Sequence, residues 1–209
     1  MDNIKSKNIP LKLYQPLNTL VFLSFYSPII IASIITSMSF IFQNFKGIIY
    51  LAFLLGICIL RNYIYMMCGS PPINSTNDDI CTSIQYSEYG NASFSAFVSS
   101  FTIMYLSYPM FSNNSPNFVI FSILLIYFFV DIFIKIYKKC AQASDLFLNV
   151  LLGLASSALI VTLMYAGGSG KYLFFNEISS NKDVCYMPKK QTFKCSVYKN
   201  GELISGPGN

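Results

Sequence analysis

Hydrophobic residues in this chain are gathered into predominantly apolar stretches of about twenty residues or more, not into the one-sided stripes of a soluble amphipathic helix. Five runs, at 17–42, 47–67, 92–111, 118–137 and 146–167, are each long enough to cross a hydrocarbon core of roughly 30 Å. In lipid such segments must be helices, because an open strand leaves its backbone groups unpaired. Pro28 and Pro109 are expected to kink or end the first and third of them. The breaks at 43–46 and 112–117 are short enough to force antiparallel helix hairpins. The longer connections, 68–91 and 138–145, then share one membrane face, and everything after 168 emerges on the other.

Composition agrees with this layout. The 209 residues are 54% hydrophobic and 11% charged, and the mean hydropathy is +0.51. That is too little charge to clothe a soluble domain of this size. The net charge of +5 comes from lysines at segment ends and in the C-terminal tail, the places where membrane-flanking charge belongs. Lys5, Lys7, Lys12, Lys135, Lys138 and Lys139 put the N-terminus and the longer connections in the cytoplasm by the positive-inside rule. The lysines of the tail oppose that asymmetry. The first run is too long for the core of a signal peptide. Many Ile, Asn and Lys, with 19 Phe, 15 Tyr and no Trp, suggest an AT-rich genome such as that of a large DNA virus, a protist or some bacteria. Asn74, Asn91 and Asn113 begin Asn-x-Ser/Thr patterns, which fall on opposite faces and cannot all be modified.

Three parts follow: a basic N-terminal segment (1–16), a helical bundle (17–167) and an extramembrane tail (168–209). In the tail, TFKCSVY alternates sides and Asn200-Gly201 signals a hairpin turn, so a small β-hairpin-like cap is expected. A cap so small needs a Cys185–Cys195 bridge or a docking partner. Tyr186, Phe193, Lys194 and Tyr198 are the expected contact residues toward other membrane or capsid proteins. Cys68 and Cys81 share a connection and form a second candidate disulfide, whereas Cys58 and Cys140 read as small buried hydrophobes.

Asp131 is a carboxylate within an apolar run, where an unpaired charge costs about 2.5–3.5 kcal/mol. Lys135 one turn on, and Arg61 at similar depth on the second helix, are its expected partners in an intramembrane ion pair. The chain has no histidine at all, which removes the usual neutral-pH nucleophile and acid/base. No cofactor or metal is expected, since four thiols split between two faces without histidine make no zinc site. Neither nucleic-acid recognition nor a P-loop is indicated, and GGSGK at 167–171 lacks the Walker spacing.

Three segments in order resemble the signature motifs of the type 2 phosphatidic acid phosphatase (PAP2) superfamily. KIYKKCAQASDLFLNVLLGLASSALIV is similar to the family's Arg, five residues, His, three residues, Asp run. Lys135 falls on the Arg, Ala141 on the catalytic His and Asp145 on the orienting Asp. GNASFSAFVSSF looks like the Pro-Ser-Gly-His motif, with Ser93 on the Gly and Phe94 on the acid/base His. RNYIYMMCGSPP puts Arg61 on the leading Lys of the first motif and Cys68 on its Arg. The resemblance implies an all-α integral membrane bundle cradling a phosphate between basic side chains, with one His attacking phosphorus and another protonating the leaving oxygen. Here both histidine positions are lost, so the expectation is a pseudoenzyme: an inactive PAP2-like membrane anchor or scaffold, in the internal membrane of a virus particle. The alternatives are a lipid phosphatase-like enzyme with altered chemistry, for which Ser93 or Ser95 would have to supply the hydroxyl, and a small transporter or channel.

Overall fold

A computed structural model of the chain describes residues 16–68, 85–87, 89–174, 197–199 and 202–205. The fold is helical: α1 (Pro16–Phe25), α2 (Ser27–Ile41), α3 (Lys46–Met67), α4 (Asn91–Ser112), α5 (Phe118–Tyr137) and α6 (Ala143–Ala166). A single 3-10 turn, Gly170–Tyr172, follows α6. Three of these helices, α3, α5 and α6, are long and apolar enough to cross a membrane.

Two of the five expected spans come out differently. The first run is two helices, because the chain breaks at Tyr26 just ahead of Pro28, whose ring leaves no N–H to continue the ladder. Hydroxyls from elsewhere take carbonyls beside the break: Tyr86 donates to the Phe25 carbonyl at 2.9 Å and Tyr127 to the Leu23 carbonyl at 2.9 Å. The third run forms a 22-residue helix, α4, but it is not among the three apolar enough to qualify as a span. Its serines and threonine explain why, and packing explains how it tolerates them. Most of α4 is buried, from Ser93 to Met110, and it lies against α6, α5 and α2. Pro109 sits inside α4 near its end, and the helix carries on to Ser112.

The two short connections do what their length dictates. Between α2 and α3, the Gly47 N–H donates to Ser39 Oγ at 2.9 Å, and Ser39 Oγ donates to the Asn44 carbonyl. A Cβ on Gly47 would come within 2.6 Å of the Ile35 carbonyl oxygen, so glycine lets the two helices meet. Between α4 and α5, the Asn117 side chain caps α5 by accepting from the N–H groups of Val119 and Ile120. The aromatic centre of the bundle is Tyr50, Phe101 and Tyr105, fully buried between α3 and α4.

In the tail, β1 (Val197–Lys199) pairs antiparallel with β2 (Glu202–Ser205), with Tyr198 opposite Leu203. The Asn200-Gly201 turn and the expected contact residues Tyr186, Phe193 and Lys194 lie outside the described residues, as do Cys81, Cys185 and Cys195. The cysteine expectations need correcting on two counts. Cys68 is a free thiol, exposed just past the end of α3, so it makes no bridge with Cys81. Cys140 is not a lone buried hydrophobe: it is disulfide-bonded, whereas Cys58 is free.

α6 meets α4 closely at Gly153, where a Cβ would lie 2.5 Å from the Phe97 carbonyl oxygen of α4. Gly153→Ala is therefore expected to cost about 1–3 kcal/mol through overpacking. Gly56 in α3 has nothing within 4 Å of such a Cβ, and Gly56→Ala should stabilise by up to about 1 kcal/mol through helix propensity alone. Thermal unfolding of both variants in one detergent, followed by circular dichroism, should show opposite signs.

Candidate functional site

Two buried polar centres lie inside the bundle, each organised around a cation. The first is Arg61, on the inward face of α3 and only 3% exposed. Its Nε donates to Asn149 Oδ1 of α6 at 2.8 Å. Its Nη2 donates to the Gly90 carbonyl at 3.0 Å and, at 3.5 Å, to Ser93 Oγ. Gly90 precedes α4 with φ +54°, a left-handed conformation that suits glycine, and a Cβ there would come 2.9 Å from Arg61 Nη2. The guanidinium also lies over the rings of Tyr65 (4.7 Å), Phe94 (5.4 Å) and Phe97 (5.5 Å). Asn149 is itself held, donating to Tyr65 Oη and to the Asp145 carbonyl.

Two features of Arg61 stand out. No carboxylate among the described residues lies within salt-bridge distance of it, and its Nη1 is buried without a hydrogen-bond partner. A cavity of about 70 Å³ adjoins it between α3, α4 and α6, lined by Leu60, Ile64, Tyr65, Phe97 and Ser156 among others. Since Met67 closes the 22-residue α3, Arg61 lies about 9 Å from that end and about 7 Å from the helix midpoint at roughly 1.5 Å per residue.

The second centre joins α1, α4 and α5. Asp131 and Lys135, each 1% exposed, form an i,i+4 pair with Nζ 3.4 Å from Oδ2. Ser24 Oγ donates to Asp131 Oδ1 at 2.5 Å, Ser95 Oγ donates to Oδ2 at 2.6 Å, and Lys135 Nζ donates to Ser95 Oγ. The Lys135 ammonium also faces the Phe25 ring at 6.0 Å. A serine beside a lysine has the outline of a nucleophile and base. Here Lys135 is paired with Asp131, and neither Ser95 nor Lys135 is open to solvent.

The residues singled out from sequence are thus divided between places. Arg61 meets Ser93 and Phe94, while Lys135 pairs with Asp131 in the other centre. The three-way set of Arg61, Asp131 and Lys135 resolves into one pair and one separate cation. Phe94 stacks on Tyr86 with centroids 5.2 Å apart. Ala141 is half-buried and the Asp145 side chain is exposed; only the Asp145 carbonyl reaches toward Arg61, through Asn149. Cys68 is exposed and is not among the contacts of Arg61. Asn149, Ser24 and Gly90 were missed. Asn149, a lone amide in an apolar run, was the detectable signal.

Removing one member of the buried pair leaves a stranded charge, so Asp131→Ala should cost about 3–5 kcal/mol, and Asp131→Leu with Lys135→Met together should recover most of it; urea titration in mild detergent distinguishes the two. Burial, and behind it Tyr26, pushes the Tyr86 phenol up to about 12 from its ordinary value near 10. The stability contributed by this neutral phenol is therefore full below pH ~10 and lost as pH rises through ~12. The difference between the alkaline unfolding profiles of the wild type and Tyr86→Phe should appear in that window. No family model, no curated protein and no solved structure matches this chain, so the likeness to the PAP2 motifs rests on its own residues alone.

Proposed function

We propose that this chain is a non-catalytic, multi-pass membrane anchor built on a PAP2-like bundle, in which Arg61 holds an anionic lipid headgroup without transforming it. The observation that supports this reading is the guanidinium itself: a buried cation with no carboxylate within salt-bridge distance among the described residues, an unpartnered Nη1 and an adjoining cavity, on the half of α3 that ends at Met67, from which its long side chain can reach toward the headgroups. A phosphate oxygen supplies both the missing charge and the missing acceptor. The lack of chemistry is supported by Phe94, which fills the position of the family's acid/base with a ring stacked between Tyr86 and the guanidinium. All five hydrophobic runs cross the membrane in this proposal, with α4 shielded from lipid by its neighbours. The tail, 168–209, is the part that meets other proteins, as a small cap suited to recruiting the anchor into an assembly such as a virion's internal membrane.

Two experiments test this. Wild-type protein in nanodiscs of phosphatidylcholine with a minor share of phosphatidic acid should retain phosphatidic acid several-fold over its bulk share, and Arg61→Gln should lose that enrichment. Equal retention by both overturns the headgroup role. Release of inorganic phosphate from phosphatidic acid at a rate abolished by Ser95→Ala would instead establish the altered-chemistry reading. Deleting 171–209 should leave membrane insertion intact and abolish recruitment; unchanged recruitment removes the tail from the proposal.

A further inference from the structure

On the opposite side of α3 from the Arg61 cavity lies a larger one, about 400 Å³, between α2, α3 and α4. Ligand pockets for single small molecules begin at about this size. Its existence follows from small side chains: the break before Pro28 and the short Ala32 on α2 face Leu54, Leu55 and Cys58 of α3 without filling the space between them. The groove runs along α3 from Leu51 to Asn62, a length of about 16 Å at roughly 1.5 Å per residue. That is half of a hydrocarbon core of roughly 30 Å, the reach of one leaflet. Its walls are apolar over nearly all of that length, and its rim residues Ile29, Leu55 and Ile59 are exposed outward. Only one end is polar, at Asn62, Ser87 and Tyr86, where Ser87 Oγ donates to Asn62 Oδ1 at 2.9 Å. This end also lies near Arg61, which has no carboxylate partner among the described residues and whose neighbour Phe94 lines the groove.

We infer that this groove is a lipid site that takes one acyl chain of a bilayer glycerophospholipid, with the head-proximal end of the chain toward Asn62 and Ser87. An occupant with an apolar shaft one leaflet long and a polar, anionic head matches the lining along its whole length. A helix from a second copy would bring its own polar backbone ends to the apolar part of the groove and leave Arg61 uncompensated. The chain site stands on the groove's shape and lining and does not require Arg61 to bind phosphate. A chain held there exchanges more slowly than the lipid that bathes the rest of the surface.

The full chain in nanodiscs of phosphatidylcholine, with a trace of phosphatidylcholine carrying a diazirine in one tail, supplies the test. On irradiation, adducts mapped by peptide sequencing should fall on Ile29, Leu55 and Ile59 at least five-fold above those on Ile123 and Ile126, which are as exposed but lie on α5 and line neither of the two cavities described. Ala32→Phe narrows the groove and should bring labelling down to the α5 level; Leu55→Trp, at an exposed rim position, serves the same purpose with less risk to folding. Arg61→Gln should leave groove labelling unchanged, so loss of the headgroup role and loss of the chain site are separable. Labelling of the groove no higher than that of α5, or protein-to-protein cross-links in its place, overturns the inference.

Discussion

Asp131 and Lys135 cannot enter hydrocarbon one at a time, and the arrangement of α1, α4 and α5 is organised around admitting them together. Coulomb attraction alone does not offset the desolvation of two buried ions; the remaining lone pairs and protons must also be met. Ser24 supplies one hydroxyl from α1 and Ser95 a second from α4. Three helices are thereby tied at one point, and the position of α1 against α5 follows from it. Because α1 is detached from α2 at Tyr26, this polar knot is one of the few features that can fix its place, along with the hydroxyls of Tyr86 and Tyr127 on its last carbonyls.

The same constraint explains α4. A serine-rich helix is a poor lipid-facing element but a good central one, since its hydroxyls can serve their own backbone or a neighbour. Ser100, Thr102 and Ser107 donate to the carbonyls of Phe97, Val98 and Ile103, three or four residues back. Thr102 additionally meets the Tyr50 hydroxyl at 2.7 Å, which joins α3 to α4 inside the aromatic centre. Small side chains let α6 approach until Gly153 faces the α4 backbone. Apolar helices thus pack against a moderately polar one, whose hydroxyls are met inside the bundle.

Much of this was legible in the sequence, and the remainder was not for identifiable reasons. Predominantly apolar runs located α3, α5 and α6 because length and hydropathy are local properties. The Asp131–Lys135 pair was legible because i,i+4 spacing puts both side chains on one helix face. Depth along parallel helices also suggested Arg61 as a third partner, but depth fixes one coordinate and leaves rotation about the helix axis free. The structure turns Arg61 toward α6 and Asn149, away from α5. Ser24 and Ser95 were invisible as ligands because serine is common in this chain and its role depends on which neighbour it meets. The break at Tyr26 was half legible: Pro28 announced a kink, but not that two tyrosines from distant segments would receive the freed carbonyls.

The contrast between the two cations carries the functional argument furthest. Both are almost wholly buried, and both sit on helices apolar enough to span a membrane. Lys135 is given a carboxylate that neutralises its charge and a hydroxyl that accepts from it. Among the described residues Arg61 is given only neutral acceptors and ring faces, with both N–H groups of Nη1 left over. If burying positive charge were merely tolerated, the cheaper outcome at Arg61 would be an aliphatic side chain, since a buried cation without a counter-charge destabilises the apo protein. Glycine at position 90 and asparagine at 149 instead hold the guanidinium in place at further conformational cost. Such an arrangement leaves room for an anion that none of the described side chains supplies, and the proposed headgroup role rests on that vacancy in its hydrogen bonding.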